Sequence, residues 1–276
     1  MKFAEEIIRS KQNRIVVDTA KLLDRKAREK AKLFRFDGVK LFEEAVQKGV
    51  SVKRILLCES RLEALSATLE SYDKLLENVP VSVLSEDVFS KISDEQSPEG
   101  IVCVAEFPEN YCRADEGGFR KCAADKSVRI MALESVRDPG NIGTIIRSAA
   151  AFGIDALAIS RDCADVFNPK TVRGAMGALF KMKIFVFDDL VDAINVLKSS
   201  GRRVYAAALD KNAVRLDEAE FESFDTAVIG NEGHGLSEKA INACTQSLFI
   251  PMEEGSESLN AAIAASVIMW SMYARK

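Results

Sequence analysis

Short apolar runs separated by helix-period segments fill most of this chain, and their spacing changes about one third of the way along. Before residue 106 the pattern predicts a helix over 19–32 and another over 38–48. Strands are predicted over 54–58, 81–84 and 101–105, which together make a small α/β domain. A polar, glycine-bearing stretch, PENYCRADEGGFRKCAADK at 108–126, reads as a linker. Beyond it the alternation becomes regular. Runs rich in Val, Ile and Ala occur at 128–134, 155–160, 183–187, 203–209, 226–230 and 247–251. Helical segments lie near 142–152, 169–179, 188–198, 236–244 and from about 256 onward. Strands apolar on both faces and separated by helices imply a mainly parallel sheet covered by helices, with ligands outside the strands' carboxyl ends. The loops that follow Glu134, Gly230 and Pro251 are therefore where chemistry is expected.

Length and composition fit that picture. The 276 residues suit two cores rather than one, and 47% hydrophobic with 29% charged residues is a globular balance. The longest weakly polar run, 259–274, is too short to span a bilayer and contains Ser266 and Ser271, so it reads as a buried helix. No basic-then-apolar signal segment opens the sequence, and a cytoplasmic location is expected. The cysteines at 58, 103, 112, 122, 163 and 244 form no C-x-x-C pair and have no histidine cluster beside them, so reduced thiols are expected and no metal site.

The net charge of −4 alone speaks against nucleic acid, but its distribution does not. Residues 9–35 hold ten Lys or Arg against three acids, a local +7 that leaves −11 for the rest of the chain. Arg9, Lys11, Arg14, Arg25, Lys26, Arg28 and Lys32 are candidates for phosphate contact, with a merely solvated helix face as the alternative.

Three loops carry the candidate chemistry. In DPGNIGTIIR (138–147), Pro139 and Gly140 force a turn after a strand, Asn141 is a good helix N-cap, and Arg147 is a lone cation on an apolar helix. A long side chain there could run back toward the strand ends or simply snorkel to solvent. In GNEGHGLS (230–237), three glycines permit close backbone approach. The order G-x-x-G-x-G is not the dinucleotide fingerprint, which argues against an oxidoreductase. Glu232 is either a turn residue or an acid aimed into a site, and His234, the only histidine, reads as incidental. In IPMEEGSESLN (250–260), Ser256 or Ser258 can cap a helix whose apolar face runs Leu259, Ile263, Val267, Trp270, with Asn260 in its first turn.

Taken together, DPGNIGTIIRSAAAFG, GNEGHGLS and IPMEEGSESLNAAIAASVIMW, in that order, resemble the SpoU-type, TrmH-like RNA ribose 2′-O-methyltransferases of the SPOUT superfamily. NPKTVRGAMGALFKMKI (168–184) looks like the family's intermediate segment, so the resemblance spans 128–276. Residues 10–46 and 97–108 look like the preceding substrate-binding domain, an α/β/α unit related to RNA-binding ribosomal proteins. What the resemblance implies is an RNA-binding domain over 1–107, a linker over 108–127, and a knotted methyltransferase domain over 128–276. That last domain would form a homodimer and hold S-adenosylmethionine in a deep trefoil knot. It further implies a donor site at Gly230, Ile250, Met252 and Leu259, and a catalytic set of Asn141, Arg147, Glu232, Ser258 and Asn260. Arg147 would lie nearest the 2′-hydroxyl as base or phosphate clamp, with Glu232 holding it or polarising the site. Ribosomal RNA is favoured over transfer RNA as substrate, and a catalytically idle ribosome-assembly protein is the alternative. Departures are Asp37 where the family often has glutamate, and the long polar linker.

Overall fold

The structure is a computed structural model that describes residues 2–3, 6–93, 95, 97–113, 118–210, 212–253, 255 and 258–274. It divides into two compact units. One comprises Met1–Pro108 with Phe167–Phe180, the other Glu109–Val166 with Lys181–Lys276.

In the first unit, among the described residues, strands β1 (Lys2–Phe3), β4 (Pro80–Leu84), β3 (Val52–Cys58), β5 (Ile101–Glu106) and β2 (Leu33–Asp37) form one sheet in that order. β1, β4 and β3 run parallel, while β5 is antiparallel to both β3 and β2. Where one helix was expected over 19–32 there are two, α1 (Arg14–Lys21) and α2 (Arg25–Ala31). Asp24 separates them because its carboxylate accepts from the Ala27 N–H at 3.0 Å and starts a new helix. α3 (Val39–Gln47) buries Leu41, Phe42, Ala45 and Val46, the stripe its sequence spacing predicts. α4 (Leu62–Ser71) and α5 (Glu86–Phe89) complete the unit's first stretch of chain. β2 was not expected.

The segment 167–180, read from sequence as part of the second domain, belongs to this first unit, with helix α8 at Pro169–Ala175. Aromatic packing explains why. Phe167 stacks on Phe107 with ring centroids 4.0 Å apart and lies 4.9 Å from Phe34, and Phe180 is 5.4 Å from Phe36. Each such pair is worth about 0.5–1.5 kcal/mol beyond its buried area.

In the second unit, among the described residues, every strand pairing is parallel, in the order β11, β13, β10, β12, β7, β8, β9, β6. The strands are β6 (Tyr111–Arg113), β7 (Ile130–Leu133), β8 (Ala156–Ser160), β9 (Lys183–Phe187), β10 (Val204–Ala207), β11 (Val214–Arg215), β12 (Thr226–Ile229) and β13 (Gln246–Phe249). β7 and β8 are buried along their whole length, as a sheet covered on both faces requires. Helices α7 (Pro139–Ala151), α9 (Leu190–Ser199), α10 (Glu238–Ala243) and α11 (Ala261–Ala274) pack on it.

The stretch read as a linker is largely structured instead: β6 extends the sheet, and α6 (Gly118–Ala124) buries Phe119 and Ala123 in the core. Arg202 holds that helix in place. Its buried guanidinium donates to the carbonyls of Ala123 (2.7 Å), Cys122 (3.2 Å), Asp125 (2.6 Å) and Phe224 (2.7 Å), which satisfies carbonyls that a helix end otherwise leaves open. No helix among the described residues is long and apolar enough to cross a membrane.

The last helix is also turned differently from expectation. α11 buries Ala261, Ala262, Ala265, Ile268, Met269 and Met272, whereas Ile263 and Trp270 are 54% and 58% exposed. The small alanine face lets the helix approach α7 closely, and Ser266 Oγ donates to Ser148 Oγ at 2.8 Å.

Candidate functional site

The loops after β7, β12 and β13 lie at the carboxyl ends of strands in one parallel sheet, β7 beside β12 and β13 separated from β12 by β10, and hydrogen bonds tie them together. Asn231 Nδ2 donates to the Ser135 carbonyl at 2.8 Å, and Ser237 donates through its N–H and its hydroxyl, both at 2.7 Å, to the buried Glu134 carboxylate. The β12 loop folds on itself because Asn231 Oδ1 accepts from Gly233 N–H (2.9 Å) and His234 N–H (3.1 Å). Gly230 cannot be replaced there: a Cβ would sit 2.3 Å from the Gly235 carbonyl carbon and 2.4 Å from Leu236 N.

Glu232 stands where the three loops meet. Its carboxylate accepts from Asn141 Nδ2 (2.8 Å) and from the main-chain N–H groups of Arg137 (3.2 Å) and Asp138 (3.3 Å). Partial burial works to raise its pKa, but these hydrogen bonds outweigh it and hold the carboxyl below its ordinary range. Asn260 extends the network by donating from Nδ2 to Asn141 Oδ1 at 3.0 Å. Its Oδ1 accepts from the N–H groups of Ala262 and Ile263, so Asn260 caps α11. Ser258 is exposed and does not cap, and Ser256 lies outside the described residues.

Asn141 is not the cap of α7 either. Asp138 takes that place by accepting from Asn141 N–H at 3.0 Å, with Pro139 at the first helical position, which frees the Asn141 side chain for Glu232 and Asn260. Arg147 does not join the cluster. Six residues on from Asn141 is about 120° around an α-helix, so its side chain leaves by another face. It is exposed and makes no hydrogen bond or ion pair with the described residues, which corrects the expectation that Glu232 holds it.

Beside the network opens a cavity of about 290 Å3. Ile229, Leu248, Ile250, Met252, Leu259 and Ile268 form apolar walls, Gly230 and Gly233 contribute bare main chain, and Glu232 and Ser258 stand at its edge. All the residues expected at a donor site thus line one space. A larger cavity of about 740 Å3, lined by Arg113, Arg120, Asp188 and Asp192 among others, contains none of the expected site residues. His234 is exposed, and its imidazole has no partner among the described residues. No cluster of three or more His, Cys, Asp or Glu among the described residues is placed to hold a metal ion.

The basic stretch is less uniform than its count suggests. Arg9 pairs with Glu59 (3.1 Å), Lys11 with Asp87 (2.6 Å), Arg14 with Asp18 (3.5 Å) and Arg25 with Glu29 (2.9 Å), all solvent-exposed. Lys26 is exposed, and Lys32, in a left-handed conformation after α2, lies 5.9 Å from the Phe107 ring. Arg28 is a correction. It is 2% exposed, and its Nη1 donates to the Leu22 and Leu23 carbonyls at 2.6 and 2.8 Å, so it joins α1 to α2 and offers phosphate nothing.

Most of the chain is matched by known proteins. Residues 128–270 match the SpoU rRNA Methylase family model, and residues 13–103 match the MRM3-like substrate binding domain. The chain belongs to the SpoU rRNA methylase family. The 23S rRNA (guanosine(2553)-2′-O)-methyltransferase RlmP of Bacillus subtilis is 33% identical, with 96% of this chain and 98% of that protein aligned. The 23S rRNA (uridine(2479)-2′-O)-methyltransferase of Streptomyces viridochromogenes is 29% identical over 91% of this chain and 86% of its own. Among solved structures, an AdoMet-bound rRNA methyltransferase from Sinorhizobium meliloti superposes with a TM-score of 0.80 at 26% identity, covering 97% of each chain.

The braces Glu134, Asn231 and Ser237 were not singled out as site residues. Their signal was weak, since an acid at a strand end followed about 100 residues later by an Asn and a Ser gives no spacing to recognise. The Asp138 cap was legible in retrospect, because Asp-Pro at a strand-to-helix turn places an acceptor and then the imino acid best suited to the first helical position.

Proposed function

We propose that this SpoU methylase transfers a methyl group from S-adenosylmethionine to a ribose 2′-hydroxyl of ribosomal RNA. The observation that carries the reading is the junction of Glu232, Asn141 and Asn260, which locks three strand-end loops against the 290 Å3 cavity. The cavity fits the donor chemically. Aliphatic walls suit an adenine ring, glycine main chain allows close approach, and an ionised carboxylate at the edge favours a sulfonium. When bound, the donor supplies an electrophilic methyl carbon and leaves as a neutral thioether.

The chain's own work is to align the attacking oxygen and manage its proton. Arg147, without a hydrogen-bond or ion-pair partner among the described residues, aligns the RNA by holding a phosphate. Asn141 and Asn260 fix the loop positions against which the ribose sits, and Ser258 closes the cavity edge. Gly230, Ile250, Met252 and Leu259 hold the donor. The two relatives act on a guanosine and a uridine, so this shared architecture does not dictate the base.

The same reading includes a trefoil knot in the second unit, supported by β13 inserting between β10 and β11 before α11 returns against α7. It includes a homodimer formed through the exposed apolar side of α11, with Ile263 and Trp270 at its centre. It also includes an RNA-binding role for the first unit, with Arg9, Lys11, Arg14, Arg25, Lys26 and Lys32 as phosphate contacts, and a cytoplasmic location. The test is incubation with methyl-labelled S-adenosylmethionine and ribosomal RNA from a strain lacking the gene, followed by mapping of the modified nucleotide. A single 2′-O-methyl group is the expected product. Label on a base, or none on RNA, would refute the reading.

A further inference from the structure

A second cavity, of about 600 Å3, lies wholly within the first unit, lined by residues of α1 and α2 and of strands β2, β3 and β5. Its floor continues the core: Leu22 and Val104 are 5% and 6% exposed, and Ile15, Ala27 and Leu33 are half-buried around them. At the position on β3 that faces this layer the sequence places Arg54, paired in register with Val104, so no apolar side chain fills the gap. The rim is strongly cationic, with Arg14, Lys21, Lys30 and Arg54 against the single carboxylate Asp18. Asp18 is shared by Arg14 (3.5 Å) and Lys21 (3.0 Å), while Lys30 and Arg54 have no hydrogen-bond or ion-pair partner among the described residues.

An apolar floor beneath unbalanced cations asks for a flat, apolar body attached to anions. The volume is within the roughly 300–1,000 Å3 typical of sites that enclose such a group. We propose that this cavity takes one unstacked nucleotide of the RNA substrate. The base lies between the aliphatic floor and the Arg54 guanidinium, and the flanking phosphates rest on Lys30, Lys21 and Arg14. Sequence-specific RNA recognition works mainly on such splayed nucleotides, and guanidinium planes are among the surfaces on which bases stack. The site would make the first unit a reader of unpaired RNA rather than a general polyanion surface. This inference rests on the reading that the chain acts on RNA.

The experiment uses the full chain and a fluorescein-labelled single-stranded RNA hexamer of mixed sequence, with a blunt duplex of the same sequence as control. Binding is followed by fluorescence anisotropy. Ala27→Phe fills the cavity from α2, and Arg54→Gln removes the stacking cation without disturbing the floor. The hexamer should bind more tightly than the duplex, and each variant should lose roughly tenfold in hexamer affinity. With ribosomal RNA, KM should rise in both variants while kcat at saturating RNA stays at the wild-type value. Arg54→Gln decides the matter if Ala27→Phe lowers the melting temperature. Unchanged hexamer affinity in a folded Arg54→Gln protein overturns the proposal, as does displacement of the hexamer by an equal concentration of a glutamate-leucine peptide. Wild-type protein that transfers no label to ribosomal RNA overturns the reading of function instead, whereas intact methylation with unaltered hexamer binding by the variants isolates the failure to this cavity.

Discussion

Replacing Glu232 by glutamine tests the loop junction more sharply than removing the side chain. The carboxylate accepts three hydrogen bonds: Asn141 Nδ2 and Asp138 N–H reach Oε1, and Arg137 N–H reaches Oε2. Glutamine offers one acceptor oxygen. If that oxygen takes the Oε1 place, its amide nitrogen meets the Arg137 N–H donor to donor, and if it is flipped, Asn141 and Asp138 lose their acceptor. At least one bond is therefore lost in either orientation and one repulsive contact is made. Hydrogen bonds to a charged group contribute about 1.5–3 kcal/mol when buried, and solvent at this exposed residue reduces that, so Glu232→Gln should cost about 1–2 kcal/mol of stability. A fall in melting temperature of roughly 2–4 °C per kcal/mol is expected for a protein of this size. Methyl transfer should fall far more, on the order of 100-fold in kcat, because one orientation of the amide releases the Arg137 main chain and the other releases Asn141 and Asp138, and small misplacements are costly in positioned reactions. The assay is single-turnover methyl transfer to ribosomal RNA, alongside thermal melting and calorimetric S-adenosylmethionine binding. A variant that melts as predicted yet keeps wild-type kcat would refute the argument that the junction orders the reacting groups.

Arg147→Ala should bind S-adenosylmethionine nearly normally by calorimetry and lose most methyl transfer; full turnover on the proper RNA would remove Arg147 from the mechanism. RNA affinity should fall steeply with salt, and Lys26→Ala should lower the slope of log affinity against log salt by about one. Arg28→Ala, in contrast, should leave that slope unchanged and lower the melting temperature, since it leaves the Leu22 and Leu23 carbonyls, the first in a buried hydrogen bond, without this donor; this is read by titration at several salt concentrations plus a thermal melt. Trp270→Glu should convert a dimer to monomer in sedimentation experiments, and an unchanged mass would remove the α11 face from the assembly. Because the Glu232 pKa is depressed, the stability its carboxylate contributes is present at and above the ordinary carboxylate range. It is lost as pH falls through the folded-state value, so acid melts of wild type and Glu232→Gln should converge at low pH.

The strand-end loops were legible because their chemistry is written in residues with few other uses: Asp-Pro-Gly-Asn, three closely spaced glycines, and a Ser-Leu-Asn turn. The parallel sheet followed from strands apolar on both faces. β2 escaped notice because Arg35, 1% exposed, interrupts Phe34 and Phe36 and makes a buried strand look half-polar. Arg28 was misread for the same reason, since composition counts cations without knowing which of them bond carbonyls inside. The α11 face was wrong because the helix is apolar nearly all round, so periodicity could not choose between its alanine side and its Ile263–Trp270 side. The polar stretch 108–127 hid α6 because that helix is held by Arg202, some 80 residues away, and such a partner leaves no local signal.

The separation of Glu232 from Arg147 also bears on where the 2′-hydroxyl proton goes. A carboxylate saturated by three donors and held below its ordinary pKa has little affinity for a proton, so Glu232 is a poor general base and a good fixed anchor. Had Arg147 been paired with it, the guanidinium would have been partly neutralised and its donors used. With no partner among the described residues, its fork of N–H groups is left for the phosphate that the proposed mechanism gives it. A guanidinium, which offers donors and no acceptor, is equally unsuited to take up a proton. In the proposed mechanism both charged candidates therefore act by positioning, which assigns most of the rate enhancement to alignment of the oxygen with the methyl carbon. The proton, whose acidity rises as the new bond forms, can then leave late and to water. That order predicts a solvent deuterium isotope effect near unity on single-turnover methyl transfer, and a large effect would return proton abstraction to the rate-limiting step.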